Sequence, residues 1–224
     1  GGLLALGFSW AAAKIGYSLT YEDTLSATIL AFVMLFLAGA SFFLGRETVK
    51  TFVFPFVFLV CIVPFPTFVK EGIETFFQHA SADLSYIFFK LWGTPILRYD
   101  LVFHLPGVPP IEVARECSGI RSSVVLFIVS LVASNLFLQS TWKRIVLVLF
   151  TIPLAIVRNS FRIFVIGQLC VQIGPEMIDS KIHREGGPVF FALSLIPLFL
   201  LLFFLMKSER RKGFHSKASF GSGS

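Results

Sequence analysis

A chain of 224 residues in which 55% are hydrophobic, 28 are phenylalanine and the mean hydropathy is +0.82 carries more apolar surface than one soluble core of that length can bury. This excludes a water-soluble globular domain and reads as an integral membrane protein. The formal net charge of +6 does not read as a nucleic-acid surface, because the cations sit in short clusters between apolar runs, where membrane orientation is their commoner cause.

A helix needs about 20 mostly apolar residues to cross the hydrocarbon core, since unsatisfied backbone groups in lipid cost several kcal/mol each. In chain order, six runs are expected to cross: Leu3 to Leu19, Leu25 to Leu44, Thr51 to Val69, Ser122 to Leu138, Ile145 to Phe161 or beyond, and Pro188 to Met206. Between the third and fourth, GIETFFQHASADLSYIFFKLW carries Glu74, Gln78, His79, Asp83 and Lys90, too polar for lipid but suited to a helix lying in the interface. The following GTPILRYDLVFHLPGVPPIEVARE alternates apolar and polar residues and is broken by Gly and Pro, which predicts a short hairpin or loop. The expected fold is an all-α polytopic membrane protein of about six transmembrane helices, with an interfacial helix and a short external hairpin or loop. It forms a single membrane domain over residues 1–212, with residues 213–224 a disordered or engineered tail.

Orientation follows from the basic loops, because Lys and Arg accumulate on the cytoplasmic side. Three clusters qualify: GRETVK at 45–50, TWKR at 141–144 and KSERRK at 207–212. Placing all three inside makes the acidic TYEDT at 20–24 external and puts the PFP at 64–66 at the external end of the third run.

Three polar stretches interrupt this apolar chain. In RECSGIRSS, Cys117 precedes the fourth run, with Ser118 as the expected helix N-cap, Gly119 after it, and Arg115 and Arg121 on either side. Free N–H groups at a helix start and two nearby cations favour thiolate over thiol, a setting suited to a nucleophile. In RNSFRI, Arg158 and Arg162 are four residues apart, hence on one helix face, with Asn159 beside them. A charge inside a membrane segment costs about 3 kcal/mol on insertion scales, so these residues should face a polar interior, with Arg162 near the external surface and Arg158 in a structural role. In KIHREGG, His183 and Arg184 precede the last run. By this topology Cys117, Arg162 and His183 come from three different spans and reach one membrane face. The other cysteines, Cys61 and Cys170, lie inside apolar runs and form no disulfide framework or paired-thiol metal motif.

The set ECSGIRSS, RNSFRI and HREGG, in this order and context, resembles the exosortase/archaeosortase family of membrane cysteine transpeptidases, mainly over Glu112 to Met206. The resemblance implies that Cys117 is the nucleophile, that Arg162, ending the N-x-x-R motif, is essential, and that His183 is the third partner, as in the bacterial branch. Ser118, Gly119, Arg121, Arg158, Asn159 and Arg184 would support them or bind substrate. It further implies exported substrates ending in a short motif of the Pro-Glu-Pro type, a transmembrane helix and a basic tail. The site would face outward from a bacterial inner membrane, with lipid around it and an unidentified acceptor. No metal, cofactor or nucleic acid is called for. Two readings from other classes compete: an anion pathway lined by Arg158 and Arg162, and a non-catalytic scaffold for a partner helix.

The orientation is testable in a background lacking native cysteines. Asp100→Cys or Asp179→Cys should react with a membrane-impermeant thiol reagent added outside intact cells, and Ser208→Cys should not; the opposite pattern inverts the topology.

Overall fold

The computed structural model describes residues 7, 20–61, 63–113, 120–179 and 186–220, and 80% of the described residues are helical. It divides into two compact units, Gly1–Ile73 and Glu74–Ser224.

In the first unit, helix α1 (Tyr21–Thr51) begins at a reciprocal cap: Asp23 N–H donates to Thr20 Oγ1 at 3.2 Å, and Thr20 Oγ1 donates to Asp23 Oδ2 at 2.7 Å. TYEDT is therefore a helix start rather than a loop. The Asp23 carboxylate also accepts the Thr67 backbone N–H at 2.7 Å, and Lys70 pairs with Glu22 at 3.1 Å. The acidic stretch and the residues just after PFP thus lie together, as the orientation argument required. A kink at Gly45, in a conformation with φ 79° open mainly to glycine, breaks α1 near its end.

The third expected span is not one helix. Helix α2 (Val53–Val60) has 8 residues and ends before Pro64 and Pro66, and the next helix begins only at Thr67. At 1.5 Å per residue α2 covers about 12 Å, far short of a bilayer core. Proline removes a backbone donor and crowds the preceding turn, so an apolar run read by hydropathy alone is divided by its own prolines. The run Leu3 to Leu19, apart from residue 7, lies outside the described residues. Among those described, four helices are long and apolar enough to cross a membrane: Tyr21–Gly45, Ile120–Phe137, Thr141–Gln172 and Gly187–Arg210. Five of the six expected runs fall among the described residues, and four of those five are candidate spans.

The second unit holds three of these spans: α4 (Ile120–Phe137), α5 (Thr141–Gln172) and α6 (Gly187–Phe220). They pack around Leu126, Ala133, Leu138, Leu147, Leu154, Leu198 and Leu202. α6 runs to Phe220. At one end of the bundle Glu209 of α6 accepts the backbone N–H groups of Gln139 and Ser140, at 3.1 and 3.0 Å, where α5 begins. A carboxylate there satisfies donors that the helix leaves open and meets its positive dipole end. Lys143 lies 3.9 Å from Glu209 and donates to the Leu205 carbonyl at 3.0 Å, so the basic clusters TWKR and KSERRK share one end.

The predicted hairpin is present and gains a strand. β1 (Leu97–Tyr99) pairs antiparallel with β2 (Val102–His104), which pairs with β3 (Ile111–Glu112). Asp100 turns the first hairpin at φ 55°, a conformation that Asp tolerates better than most residues. The polar helix is also present, as α3 (Thr67–Trp92), and its second half meets α5. Ser85 Oγ lies 3.1 Å from the Ser160 carbonyl, Ser160 Oγ lies 3.1 Å from the Ser81 carbonyl, and Phe164 stacks edge-on with Phe89 at 5.2 Å. Small hydroxyl residues let two backbones approach closely, a device characteristic of membrane helices. Phe103 and Val113 of the sheet region pack with Ala82 of α3 and Ile163 of α5.

Gly167 marks a close approach between α5 and α3. A Cβ there would lie 2.5 Å from Phe89 Cζ and 3.3 Å from Leu105 Cδ1, and the Phe89 side chain is fully buried. Gly167→Ala should therefore lower stability by about 1–3 kcal/mol through overpacking, read as a fall in Tm in detergent micelles. A parental Tm would mean that Phe89 has room to shift.

Candidate active site

Helix α5 runs through the site. Counting from Lys143, at the basic end, to Arg162 gives about 29 Å at 1.5 Å per residue, close to the thickness of a hydrocarbon core. Arg162 therefore belongs near the opposite membrane surface and Arg158 one turn deeper. Arg158, Asn159 and Ser160 are buried, and Arg162 is partly buried. Two guanidinium groups on successive turns of one face concentrate positive charge within the spanning bundle.

Arg158 is held from α4. Its Nη2 donates to Ser123 Oγ at 3.3 Å, and both residues are 8% exposed. The charge is thus inside the bundle, facing protein as the insertion cost requires. The Nδ2 of Asn159, 2% exposed, has no hydrogen-bond partner among the described residues. Helix α6 reaches the same level: Phe190, within its first turn, packs edge-on against Phe161 of α5 at 6.3 Å. The first turns of α4 and α6 therefore both abut the stretch of α5 from residue 158 to 162. Arg121 is exposed in the first turn of α4.

Cys117, Ser118 and Gly119, with Arg115, lie outside the described residues, as do His183 and Arg184. Of the expected residues, the structure brings Arg158, Asn159 and Arg162 together on α5, beside the start of α4.

The family model described as transmembrane exosortase (Exosortase_EpsH) matches residues 1–200. The chain belongs to the transmembrane exosortase family. The match extends over the region before Gly45, which carries no motif of the family, and membership in this family supports a membrane transpeptidase-type role. No curated protein and no solved structure matches the chain. With four candidate spans and this membership, the exosortase is a multi-pass membrane protein.

Two contributors escaped motif reading. Ser123 is the last residue of RECSGIRSS, yet nothing in the stretch distinguishes a hydroxyl that meets Arg158 from one that faces lipid. Its only signal is position, one turn into a helix whose facing partner carries a buried charge. Gln78 lies in the polar helix and is 5% exposed, although most glutamines are solvated.

Ser123→Ala removes an acceptor from a buried guanidinium and should destabilise the protein by about 1–2 kcal/mol, whereas Ser123→Thr, which keeps the hydroxyl, should cost less. Thermal unfolding in micelles decides it; an unchanged Tm for Ser123→Ala would remove the 3.3 Å contact from the account.

Proposed function

We propose that this exosortase is a membrane cysteine transpeptidase that cleaves C-terminal sorting signals of exported proteins through an acyl-thioester on Cys117. The observation that carries the reading is the convergence of two helix starts on one charged turn: α4 through Ser123 and Arg158, and α6 through Phe190 and Phe161. Cys117 lies three residues before α4 begins, and His183 four residues before α6 begins.

The chemistry follows from the residue types. The Cys117 thiolate attacks the scissile carbonyl carbon, and the carbonyl π electrons move onto oxygen. Arg162, permanently charged and with a planar set of donors, stabilises that oxyanion. His183 protonates the leaving nitrogen as the C–N bond breaks, releasing the transmembrane tail and leaving a thioester. An acceptor nucleophile then adds to the thioester, gives its proton to His183, and expels the Cys117 thiolate. Transfer to an acceptor rather than to water separates transpeptidation from proteolysis. Ser118 and Gly119 would contribute backbone N–H groups at the oxyanion, Arg121, Arg158 and Arg184 positive potential, and Asn159 an amide donor.

Substrates on this reading carry a short extracytoplasmic motif, a helix that shares the bilayer with α4 and α6, and a basic tail that stays with the protein's own basic end. The enzyme sits in a bacterial inner membrane with its site on the outer face, because Lys143 and the KSERRK cluster gather at the end of the bundle away from Arg162.

Processing of a reporter that carries a sorting signal, followed by mass, tests the reading. Cys117→Ala should abolish processing at normal membrane level. Cys61→Ala and Cys170→Ala, one exposed and one buried, should both process. His183→Ala should lose roughly 10²- to 10⁴-fold in rate. Arg162→Lys keeps charge but not the planar fork and should be severely reduced. Normal processing by Cys117→Ala would end the cysteine-enzyme reading.

A further inference from the structure

Val113 and Ser123, on either side of residues 114–119, are each held by a contact to another element. On the far side the tie is Ser123 with Arg158. On the near side it is Val113, which directly follows β3. Its N–H donates to the Leu101 carbonyl at 3.0 Å, its side chain is 3% exposed, and its carbonyl accepts the side-chain amide of Gln78. Gln78 projects from the face of α3 that also buries Phe77, Ser81 and Ala82. That face is joined to α5 one turn further on, through Ser81, Ser85 and Ser160. Val113 packs in the cluster that Ile163 closes, and Ile163 directly follows Arg162.

We infer that Gln78 is a positioning residue, which holds the end of the sheet against the Arg162 turn of α5 and so sets where the chain departs toward Cys117. The inference rests on the function proposed above. The physical reason is a carbonyl at the end of a short strand. Past Glu112 the ladder with β2 has no further residue pair, so a buried Val113 carbonyl needs another donor. Only a side chain reaching across from a packed helix can supply that donor while leaving the strand where it is. Cys117 follows Val113 by four residues and precedes Ile120 by three, so covalent geometry keeps it within roughly 14 Å of the first and 11 Å of the second. On so short a tether, movement of the anchor carries through to the nucleophile. A misplacement of about 1 Å at a reacting atom can cost on the order of 100-fold in rate.

Gln78 touches no reacting atom, so its loss should leave a signature that simple destabilisation does not. Gln78→Met has a similar length and no donor. In the full-length protein, with membrane level and Tm checked, it should process the reporter with kcat lowered roughly 10- to 100-fold and KM within about 3-fold of the parent. In the same preparation, the pH midpoint for alkylation of Cys117 by iodoacetamide, read by mass spectrometry of its peptide, should shift, because the thiol no longer stands in the same field. If Gln78→Met does not accumulate, Gln78→Asn, which keeps the amide but withdraws it by one methylene, is measured in the same way and should show the same split. A folded variant that retains parental kcat, or whose Cys117 alkylation profile is unchanged, overturns the inference. Cys117→Ala run alongside keeps the two readings apart. If that variant processes the reporter, the proposed function has failed; if it is inactive while the Gln78 variants match the parent, only the role of Gln78 has failed.

Discussion

A guanidinium enclosed in a bundle of membrane helices is the constraint on which the rest of this structure depends. Lipid offers the Arg158 guanidinium nothing to bond. The chain must therefore deliver a polar group to it, and α4 does so with Ser123 at 3.3 Å. That bond fixes how far α4 slides along α5. Because α4 starts only three residues before Ser123, it also fixes the level at which α4 begins. Arg162 stands one turn away on the same face of α5, so one interaction sets the depth of the α4 start against that of Arg162.

The second consequence comes from the length of α5. At 32 residues it measures about 48 Å, some 18 Å more than a hydrocarbon core requires. The surplus is occupied. Phe164, Gly167 and Gln168 meet Phe89, Leu105 and Thr94, and Ile163 closes the small core of Ala82, Phe103 and Val113. The packed α3 and sheet thus form a rigid cap on the same helix that carries the two arginines. A helix merely resting in the interface could not fix a strand end to within hydrogen-bonding distance. One joined to α5 through Ser81, Ser85 and Ser160 can. At the other end, Glu209 and Lys143 close the bundle where the basic clusters collect.

Much of this was legible in the chain. Hydropathy located the four described spans, and the alternation in GTPILRYDLVFHLPGVPPIEVARE indicated a hairpin or loop, which the structure resolves as a hairpin. The spacing of Arg158 and Arg162 placed them on one face. Hydropathy misread Thr51 to Val69, because a window average counts Pro64 and Pro66 as residues and is blind to the donors they lack. The third strand was missed because PGVPPIEV has too few alternating residues to register as one; Ile111 and Glu112 pair only because β2 is already held beside them.

What the sequence determined alone is whatever local chemistry dictates: membrane residence from apolar content, the shared end of TWKR and KSERRK from their charge, the arginine face from the helical period, and membership of the exosortase family from the motifs taken together. What only the tertiary structure decided is which polar residues meet. Gln78 and Val113 are 35 residues apart, as are Ser123 and Arg158, while Ser81 and Ser160 are 79 apart. No periodicity links positions at those separations. A serine or a glutamine has the same local signature whether it faces lipid, water or a buried carbonyl, and only packing of the helices decides which it meets, because only packing removes the alternatives.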